Sequence, residues 1–398
     1  MTEKYDLVVI GGGLGGMAAA FKSKGSRRKI ALLDDSLPAA GGRLGGFAKF
    51  SGAKFSLLPA GQGLIPVAGS AATLKCAIDE VVDFLSLPRD QLKISSEITP
   101  DATLSSGLQL RTYESIVLSP RQIDDLVDQL TQRLEGVTII PARVAALNHY
   151  DGVWTVSSAG KVLASAPLVI FAGGRTADVL LSQAGAMPQE GKGLDLGVRI
   201  EFIEKEALSG LRSHGPDAKI LHGQCRTFCL NSPGEIYRYP FRQFSIPGGV
   251  VAEPEHSAAN VGLLYRTKDK ANALAMVAER LADLDQQDYE SAKVITGQPL
   301  QDKAELVREI FGQPVASSLN EFATLLGDAG LVDWNRSHRI HFPLLDWHWD
   351  VYATGATHRT TAPGLYVIGD SAGHARGLLQ AAVSGWLAAE EVARDVVV

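Results

Sequence analysis

The sequence predicts an α/β fold built from two intimately joined units. A short apolar strand at residues 5–10 runs directly into glycines and then into a helix-forming segment, and a second strand, glycine and helix unit stands at residues 365–385. The length of 398 residues is roughly twice that of a usual domain.

The first glycine-rich loop is Gly11-Gly12-Gly13-Leu14-Gly15-Gly16, which satisfies GxGxxG between a strand and a helix. In this pattern the first glycine permits a tight turn, the second lets a pyrophosphate approach the backbone, and the third lets helix and strand pack closely. The helix N-terminus adds free N–H groups and a positive dipole end. A purely structural turn is the alternative. The predicted dinucleotide contacts are Gly11, Gly13, Leu14, Gly15 and Gly16.

The second strand strengthens this prediction. It covers residues 29–33 and ends at Asp34 and Asp35, with Asp34 eighteen residues after Gly16. A carboxylate at this position accepts hydrogen bonds from a ribose diol. The spacing therefore favours nucleotide binding, with Asp34 and Asp35 as ribose ligands, over a chance glycine turn.

A second glycine-rich loop, residues 40–46, carries a single arginine, Arg43. Such a loop lets the backbone fold over a cofactor while a guanidinium reaches its phosphates. It resembles the GGR-type element of the glutathione-reductase-like FAD superfamily, displaced by one residue from the expected spacing. The resemblance implies a Rossmann-type FAD-binding domain, with FAD contacts from Gly42, Arg43 and Leu44.

The C-terminal unit begins with a Pro363-Gly364 turn and a buried strand that stops at Gly369-Asp370 before a glycine-bracketed helix. It looks like the second FAD signature of the same superfamily, although an ordinary aspartate at a strand end is the alternative. The resemblance places Asp370 at the ribityl or pyrophosphate region and the start of the helix near the isoalloxazine ring. The implied contacts are Gly369, Asp370, Gly377, Leu378, Leu379, Gln380 and Ala381.

Two internal segments complete the predicted cofactor domain. An amphipathic segment from Ser119 to about Leu134 and a strand at residues 137–140 precede residues 142–147, which include Val144 and resemble the adenine-contacting segment of the superfamily. An Asp151-Gly152 hairpin turn follows. The strand at residues 168–171 then ends in Ala172 and Gly173, which resemble the strand that closes over the cofactor.

The FAD-binding domain is therefore predicted from discontinuous segments, with an inserted, mainly antiparallel α+β substrate domain. The boundaries are 1–75, 119–184 and 346–398 for the FAD-binding domain, 76–118 for a partly helical insertion covering the cofactor, and 185–345 for the substrate domain.

Within the substrate domain the pattern indicates strands near 196–202 and 226–230, turns at 232–235 and 247–249, and helices near 268–285 and 302–311. The runs Asp195–Glu201 and Arg226–Leu230 resemble a poorly characterised group of bacterial FAD-dependent dehydrogenases. A second complete GxGxxG unit after a strand is missing from the sequence, so hydride is expected from the substrate or from NAD(P)H bound transiently.

The expected function is an FAD-dependent dehydrogenase, desaturase or reductase that transfers hydride between flavin N5 and a small or medium organic substrate. A flavin-dependent monooxygenase or oxidase and a non-catalytic FAD-fold binding protein are the alternatives.

Three residues are candidates for catalysis: Arg199, Tyr239 and His374. Arg199 alternates with Glu201 on one face of a strand, where the two act either as a structural cross-strand ion pair or as substrate contacts. Tyr239, with Arg226 and Tyr237, is a candidate anion anchor and phenol acid, although exposed strand side chains look identical in sequence.

Histidines near the C-terminal signature are candidates for proton transfer near neutral pH. His374 follows the Gly369-Asp370 signature most closely, and His358 lies on its other side. A polar loop role is the alternative for both. His338, His341 and His348 fit no strong metal-ligand spacing, so no metal is expected.

Composition limits the remaining possibilities. The net charge of −6 and the lack of a Lys/Arg-dense stretch argue against nucleic-acid binding. The first six residues lack a secretory signal and no apolar run reaches about 18 residues, which predicts a cytoplasmic protein without a membrane span. Cys76, Cys225 and Cys229 form no disulfide framework, and a Cys225–Cys229 redox pair is the weaker alternative. The oligomeric state is left open.

Overall fold

The computed structural model describes residues 3–25, 27–37, 42–91, 102–104, 107–175, 178–374 and 376–395. Ala40 and Gly41 of the second glycine-rich loop, and residues 92–101 and 105–106 of the 76–118 insertion, lie outside the described residues. The helices are α1 (Leu14–Lys24), α2 (Ile65–Ala68), α3 (Ala71–Phe84), α4 (Pro120–Arg133), α5 (Asp178–Gln183), α6 (Ser209–Ser213), α7 (Lys270–Ala282), α8 (Gln286–Glu290), α9 (Ala304–Phe311), α10 (Gln313–Asp328) and α11 (Leu378–Arg394).

The strands follow in the same chain order. They are β1 (Leu7–Ile10), β2 (Ile30–Asp34), β3 (Lys54–Ser56), β4 (Ala102–Thr103), β5 (Gln109–Arg111), β6 (Ser115–Val117), β7 (Thr138–Pro141), β8 (Ala146–Tyr150), β9 (Val153–Ser158), β10 (Lys161–Ala166), β11 (Leu168–Phe171), β12 (Pro188–Gln189), β13 (Leu194–Phe202), β14 (Lys219–His222), β15 (Cys225–Asn231), β16 (Gly234–Phe241), β17 (Phe244–Val251), β18 (Ala259–Thr267), β19 (His338–Asp346), β20 (Val351–Tyr352) and β21 (Leu365–Val367).

A five-stranded parallel sheet joins the two ends of the chain in the order β21-β11-β1-β2-β7. β1 lies at its centre, with Leu7 opposite both Leu168 of β11 and Ile30 of β2. The four strands other than β7 are almost continuously apolar and fully buried, which is typical of a parallel sheet covered on both faces. The predicted mixed α/β architecture is confirmed, and the strands near residues 7 and 365 belong to one sheet.

Helices α1 and α11 pack against each other through glycines. A Cβ atom built on Gly385 would lie 2.0 Å from the carbonyl oxygen of Gly15, and one built on Gly15 would lie 2.8 Å from the carbonyl oxygen of Ala381. Because Gly15 and Ala381 both belong to first turns, the N-termini of the two helices lie side by side.

A seven-stranded antiparallel sheet forms the second layer of structure, in the order β19-β13-β18-β15-β14-β5-β4. Its long strand β13 pairs with β18 and with the edge strand β19, where Asp195 lies opposite Asp346. Helices α7, α9 and α10 contribute to its apolar core, and α7 and α9 match the helices predicted near 268–285 and 302–311. Strands β4 and β5 lie on its edge although they come from the predicted 76–118 insertion; the domain boundaries remain predictions.

The local predictions have mixed outcomes. The amphipathic segment after Ser119 forms α4 with a complete capping box, and the Asp151-Gly152 turn joins β8 to β9. The turn predicted at residues 247–249 is wrong, because these residues lie inside β17. Among the strands of the described segments, β17 pairs with β16 alone, an edge position that tolerates proline. Glycine is needed at position 249, where a Cβ would lie 2.4 Å from an Arg199 nitrogen.

Among the helices of the described segments, none combines the length and the apolar character needed to cross a membrane.

Candidate functional site

The first glycine-rich loop makes a tight turn at the end of β1. Gly11 has a φ of +103°, and a Cβ there would lie 2.5 Å from the carbonyl oxygen of Ala172. A Cβ on Gly16 would lie 1.9 Å from the carbonyl oxygen of Gly11. Gly13 differs, since no described atom lies within 4 Å of the position a Cβ would take. The loop is therefore closed on its strand side and open at Gly13.

Both helices that meet here begin without a side-chain cap. The N-cap residues are Gly13 for α1 and Gly377 for α11, and neither first turn contains an acidic residue. The first turn of any α-helix leaves backbone N–H groups without intrahelical partners and carries the positive end of the helix dipole. Because α1 and α11 begin side by side, they form one region of positive potential made of backbone groups.

Asp34 is buried at the end of β2 and its carboxylate faces this loop. Its Oδ2 accepts a hydrogen bond of 2.5 Å from the Gly12 N–H, and its Oδ1 accepts one of 2.9 Å from the Ser36 N–H. The Asp34 carbonyl oxygen accepts a bond of 3.1 Å from the Ala142 N–H, so the loop containing the half-buried Val144 starts beside it. Asp35 is exposed. The structure thus brings together the predicted ribose and adenine segments.

The second glycine-rich loop lies over the first. The Gly45 N–H donates a bond of 2.7 Å to the Gly12 carbonyl oxygen, and a Cβ on Gly46 would lie 3.0 Å from the Gly13 Cα. Leu44 is buried against Gly12. Leu44, Gly45 and Gly46 therefore lie against the first glycine-rich loop, and the FAD contacts of Gly42 and Leu44 remain predictions.

Arg43 makes contacts that the sequence did not predict. Its guanidinium bonds to the carboxylates of Asp124 and Asp128 on α4 and donates a bond of 3.1 Å to the Asp124 carbonyl oxygen. The side chain is 39% exposed. Its bonds in this structure go to α4, and the predicted phosphate contact remains a prediction.

The C-terminal signature is held by bonds from three directions. The Gly369 N–H donates a bond of 3.1 Å to the Ser384 hydroxyl, and the Asp370 carboxylate accepts one of 2.8 Å from Arg175 Nε. The Asp370 carbonyl oxygen accepts a bond of 3.0 Å from Trp349 Nε1. Arg175 follows β11 by four residues, so the loop containing Ala172 and Gly173 meets the signature directly. The Asp370 position is thus fixed by both neighbouring segments.

The first turn of α11 also contacts the chain near residue 60. Gln380 is buried, and its side-chain amide donates bonds of 2.7 Å to the Ser56 carbonyl oxygen and 3.3 Å to the Ala60 carbonyl oxygen. The predicted cofactor contacts of Leu378, Leu379 and Ala381 concern their backbone, which remains at the uncapped helix start. The Gln380 side chain instead connects two loops of the site.

His374 lies beside His358, with 5.4 Å between the ring centroids. Its Nε2 is 2.6 Å from the hydroxyl of Thr354. Burial lowers the pKa of His374, and the nearby charge of Lys192 lowers it further, so the ring is neutral at pH 7. Burial and the neighbouring His374 lower the pKa of His358 to about 3. His374 is thus a neutral imidazole next to the C-terminal signature.

Arg199 is fully buried. Its Nε donates a bond of 3.0 Å to the Pro247 carbonyl oxygen and its Nη1 one of 2.8 Å to Asn260 Oδ1. Glu201 bonds instead to His341 and forms a cross-strand ion pair of 3.3 Å with Arg339. Arg199 and Glu201 therefore have different partners and do not form an ion pair with each other. Arg199 contacts no carboxylate among the described residues.

Tyr239 and Tyr237 project from β16 into different surroundings. Tyr237 is stacked on Phe50, with 4.4 Å between the ring centroids, and is partly exposed. Tyr239 packs edge-on against Phe47 and lies within electrostatic reach of Arg175. Burial raises the pKa of Tyr239, so it keeps its phenolic proton at neutral pH. Of the two, Tyr239 is the one near the C-terminal signature.

Five charged residues form a group that the sequence did not predict as a site. We call it the charged cluster: Asp195, Arg226, Arg266, Asp346 and Arg376. Both aspartates are fully buried. Burial alone would raise the pKa of Asp346, but Arg376, Arg226 and Arg175 outweigh it and lower the value to about 2. Of these five residues, the sequence pattern indicates only Arg226 as a candidate. Asp195, the second residue of the buried strand β13, carried a further usable signal, because a charged side chain is unusual there.

The three histidines considered as metal ligands lie in separate environments. His341 bonds to Glu201, His338 Nδ1 is 2.9 Å from the Arg336 carbonyl oxygen, and His348 packs on Phe241. No group of three or more potential metal-binding side chains was found in the described part of the chain.

No protein-family model and no curated protein matches this sequence. Solved structures with a similar fold include a flavoprotein/dehydrogenase from Cytophaga hutchinsonii, with 13% identity, a TM-score of 0.44, and coverage of 98% of this chain and 78% of that one. A geranylgeranyl bacteriochlorophyll reductase-like protein from Thermoplasma acidophilum has 14% identity, the same coverage and a TM-score of 0.44. CtdE in complex with FAD has 13% identity and a TM-score of 0.40, with coverage of 98% and 83%. These likenesses are distant, so the case for a cofactor depends on the residues of the site.

Proposed function

We propose that this chain is an oxidoreductase that binds FAD on a Rossmann-type domain. One observation carries the proposal: the uncapped N-termini of α1 and α11 and the carboxylate of Asp34 meet at one end of the parallel sheet. A dinucleotide needs positive helix ends for its phosphates and an acceptor for its ribose hydroxyls. These three groups supply both.

The residues present fit such a cofactor. A Cβ on Gly13 or on Gly369, which has a φ of +67°, would meet no described atom within 4 Å, so both glycines border open space. Gly11, Gly16 and Gly385, by contrast, are closely covered by backbone. Gly11, Gly16 and Gly385 thus allow close backbone packing, whereas Gly13 and Gly369 leave the backbone accessible to a ligand.

Each part of FAD then has a proposed set of contacts. Asp34 and the Val144 segment would hold the adenosine, and the first turn of α1, residues 14–16, would hold the pyrophosphate. Gly369 and Asp370 would hold the ribityl chain, and residues 377–381 would lie along the isoalloxazine ring.

When bound, FAD supplies hydride transfer at flavin N5. We propose that the reaction is that of a dehydrogenase, desaturase or reductase acting on a small or medium organic substrate. His374, neutral at pH 7, is the proposed proton acceptor, and Tyr239, which keeps its proton, is the proposed hydrogen-bond donor. Arg199 is buried and bonded to protein groups, so its proposed role is to contribute positive charge near the site without contacting the substrate.

The test is a cofactor titration of the purified protein. We expect FAD to bind in a 1:1 ratio with a flavin absorbance band, and NAD⁺ to fail to displace it. Anaerobic mixing with NAD(P)H or a candidate substrate should bleach that band. A folded protein that cannot be loaded with FAD would falsify the proposal.

The same preparation separates the two alternatives. Rapid reoxidation of the reduced flavin by oxygen would replace the dehydrogenase mechanism by that of an oxidase or monooxygenase. FAD binding without reduction by any donor would instead favour a non-catalytic binding protein.

A further inference from the structure

Four cations in the antiparallel sheet and its neighbouring loops are only partly neutralised. We call them the cationic cleft: Lys192, Arg226, Arg266 and Arg376. The ion pairs that the described residues form with them involve Asp195 and Asp346. Two carboxylates shared among four cations leave the group with a net charge of +2, and Lys192 forms no ion pair among the described residues.

The cations are also crowded. The Lys192 ammonium and the Arg376 guanidinium lie over the same ring, that of Trp347, at 5.1 and 5.2 Å from its centroid. Burial lowers the pKa of Lys192, and the like charges of Arg266, Arg376 and Arg226 lower it further. A bound anion would relieve this repulsion.

Two buried polar atoms of one ion pair lack partners. Arg376 uses Nη1 for its bond to Asp346, whereas its Nε is buried and has no hydrogen-bond partner in the described part of the chain. The same holds for Asp346 Oδ1. Buried polar groups in proteins are normally satisfied, so the free Arg376 Nε marks a position for an acceptor such as a ligand oxygen, and the free Asp346 Oδ1 marks one for a donor such as water.

The cleft is accessible and adjoins the proposed flavin site. The side chains of Arg226 and Arg376 are 18% and 19% exposed, and that of Arg266 is 33% exposed. Arg376 directly precedes Gly377, the N-cap of α11. Lys192 lies within electrostatic reach of His374, the proposed proton acceptor.

We propose that the cationic cleft binds the carboxylate of a small organic acid, and that this acid is the substrate of the site. The inference rests on the proposed FAD-dependent function. A planar carboxylate matches the donor fork of an arginine, here the Nε side of Arg376. The ring of Phe228, which lies 5.0 Å from the Arg226 guanidinium and 5.4 Å from that of Arg376, supplies an apolar surface for the rest of the molecule.

The test uses FAD-loaded protein and benzoate as the probe, with benzamide as its neutral counterpart and inorganic phosphate as a second anion. Binding is measured by calorimetry and by the change that the probe causes in the flavin spectrum. We expect benzoate to bind at least about tenfold more tightly than benzamide, the factor expected for one charge-assisted bond. It should also bind more tightly than phosphate, which has no ring to pack on Phe228.

Variants identify the cleft as the binding site. Lys192→Gln should weaken benzoate binding at least about threefold, and Arg376→Gln at least about tenfold. Lys161→Gln, at an exposed position on β10, is the matched control and should bind benzoate like the parent protein. Because Lys192 is exposed and forms no ion pair among the described residues, its variant keeps the test valid if Arg376→Gln fails to fold.

Flavin absorbance separates this inference from the proposed function. Folded parent protein that cannot be loaded with FAD contradicts the proposed function. FAD-loaded parent protein that binds benzoate no better than benzamide or phosphate overturns the inference alone, as does unchanged benzoate affinity in the folded Lys192→Gln variant.

Discussion

The end of the parallel sheet and the charged cluster of the antiparallel sheet both present positive charge, but the charge comes from different groups. At the parallel sheet it comes from the backbone N–H groups of two helix starts, with Asp34 bonded to the loop. In the charged cluster it comes from arginine side chains held by two buried aspartates. The first region depends on close backbone packing. The second depends on ion pairs between residues that are far apart in the sequence.

Each region should therefore fail in its own way. A change in backbone packing at the parallel sheet should reduce FAD binding, whereas a change in an ion pair of the charged cluster should reduce folding stability and anion binding but leave the flavin site intact.

The largest effect is expected for Asp195→Asn. Asp195 is fully buried and bonds to Arg266 at 2.6 Å and to Arg226 at 2.5 Å, so the variant leaves two arginines without their main partner. Removing one member of a buried pair costs about 3–5 kcal/mol, and the partial exposure of both arginines places the expected loss near the lower limit. Urea unfolding measures it, with Asp350→Asn, at a 54% exposed side chain, as the control.

A double variant and the control together test the contribution of the charged cluster to stability. Adding Arg266→Gln to Asp195→Asn should restore part of the lost stability, because it removes one unpaired charge. A loss no larger than that of Asp350→Asn would show that the charged cluster does not stabilise the fold.

The next effect is expected for Gly385→Ala. Alanine favours helix over glycine by about 1 kcal/mol, but the new Cβ would lie 2.0 Å from the Gly15 carbonyl oxygen, and overpacking costs typically about 1–3 kcal/mol. We expect net destabilisation in urea and weaker FAD retention, since α1 and α11 must separate. Gly25→Ala is the control, because its φ is −59° and the nearest atom to its Cβ lies at 3.6 Å. Equal stability of the two variants would contradict the proposed packing.

The sequence predicted the backbone-based region better than the charged cluster, for a physical reason. Gly11, Gly13 and Gly16 lie within six residues, and Asp34 follows at a spacing set by one helix and one strand, so local pattern carries the information. Asp195 and Arg376 lie on separate elements, and their connection through Arg226 and Asp346 depends on the order of strands in a sheet. Local periodicity does not contain that order.

Arg43 also shows that local sequence pattern does not contain contacts between distant segments. Its position after the second strand predicted a phosphate contact, but its guanidinium is bonded to α4, about eighty residues later in the chain. The acidic residues Asp124 and Asp128 lie four apart on one helix face, and only the packing of α4 against the loop brings them to Arg43.

A smaller effect, on the cofactor and on the loop that Asp34 holds, is expected for Asp34→Asn. The amide has one acceptor oxygen where the carboxylate has two, so less is left for the ribose hydroxyls and the FAD dissociation constant should rise about tenfold, equivalent to about 1.4 kcal/mol. Asp35→Asn, at the exposed neighbouring position, should change it by less than about twofold. Equal effects of the two substitutions, measured by fluorescence titration, would remove Asp34 from the ribose site.

The smallest effect concerns pH and His348, which lies within electrostatic reach of Arg175, the partner of Asp370, and of Asp346 and Arg376 in the charged cluster. Burial lowers the pKa of His348 to about 3, and both ring nitrogens lack partners among the described residues. A histidine with a pKa below its unfolded value of about 6.5 opposes protonation in the folded state, so stability is lost as pH falls from about 6.5 towards 3. His348→Phe should keep the packing on Phe241 and reduce the loss between pH 7 and pH 6 by about 0.7 kcal/mol. Urea unfolding at the two pH values measures the difference, and an unchanged pH dependence would mean that other groups account for the acid sensitivity.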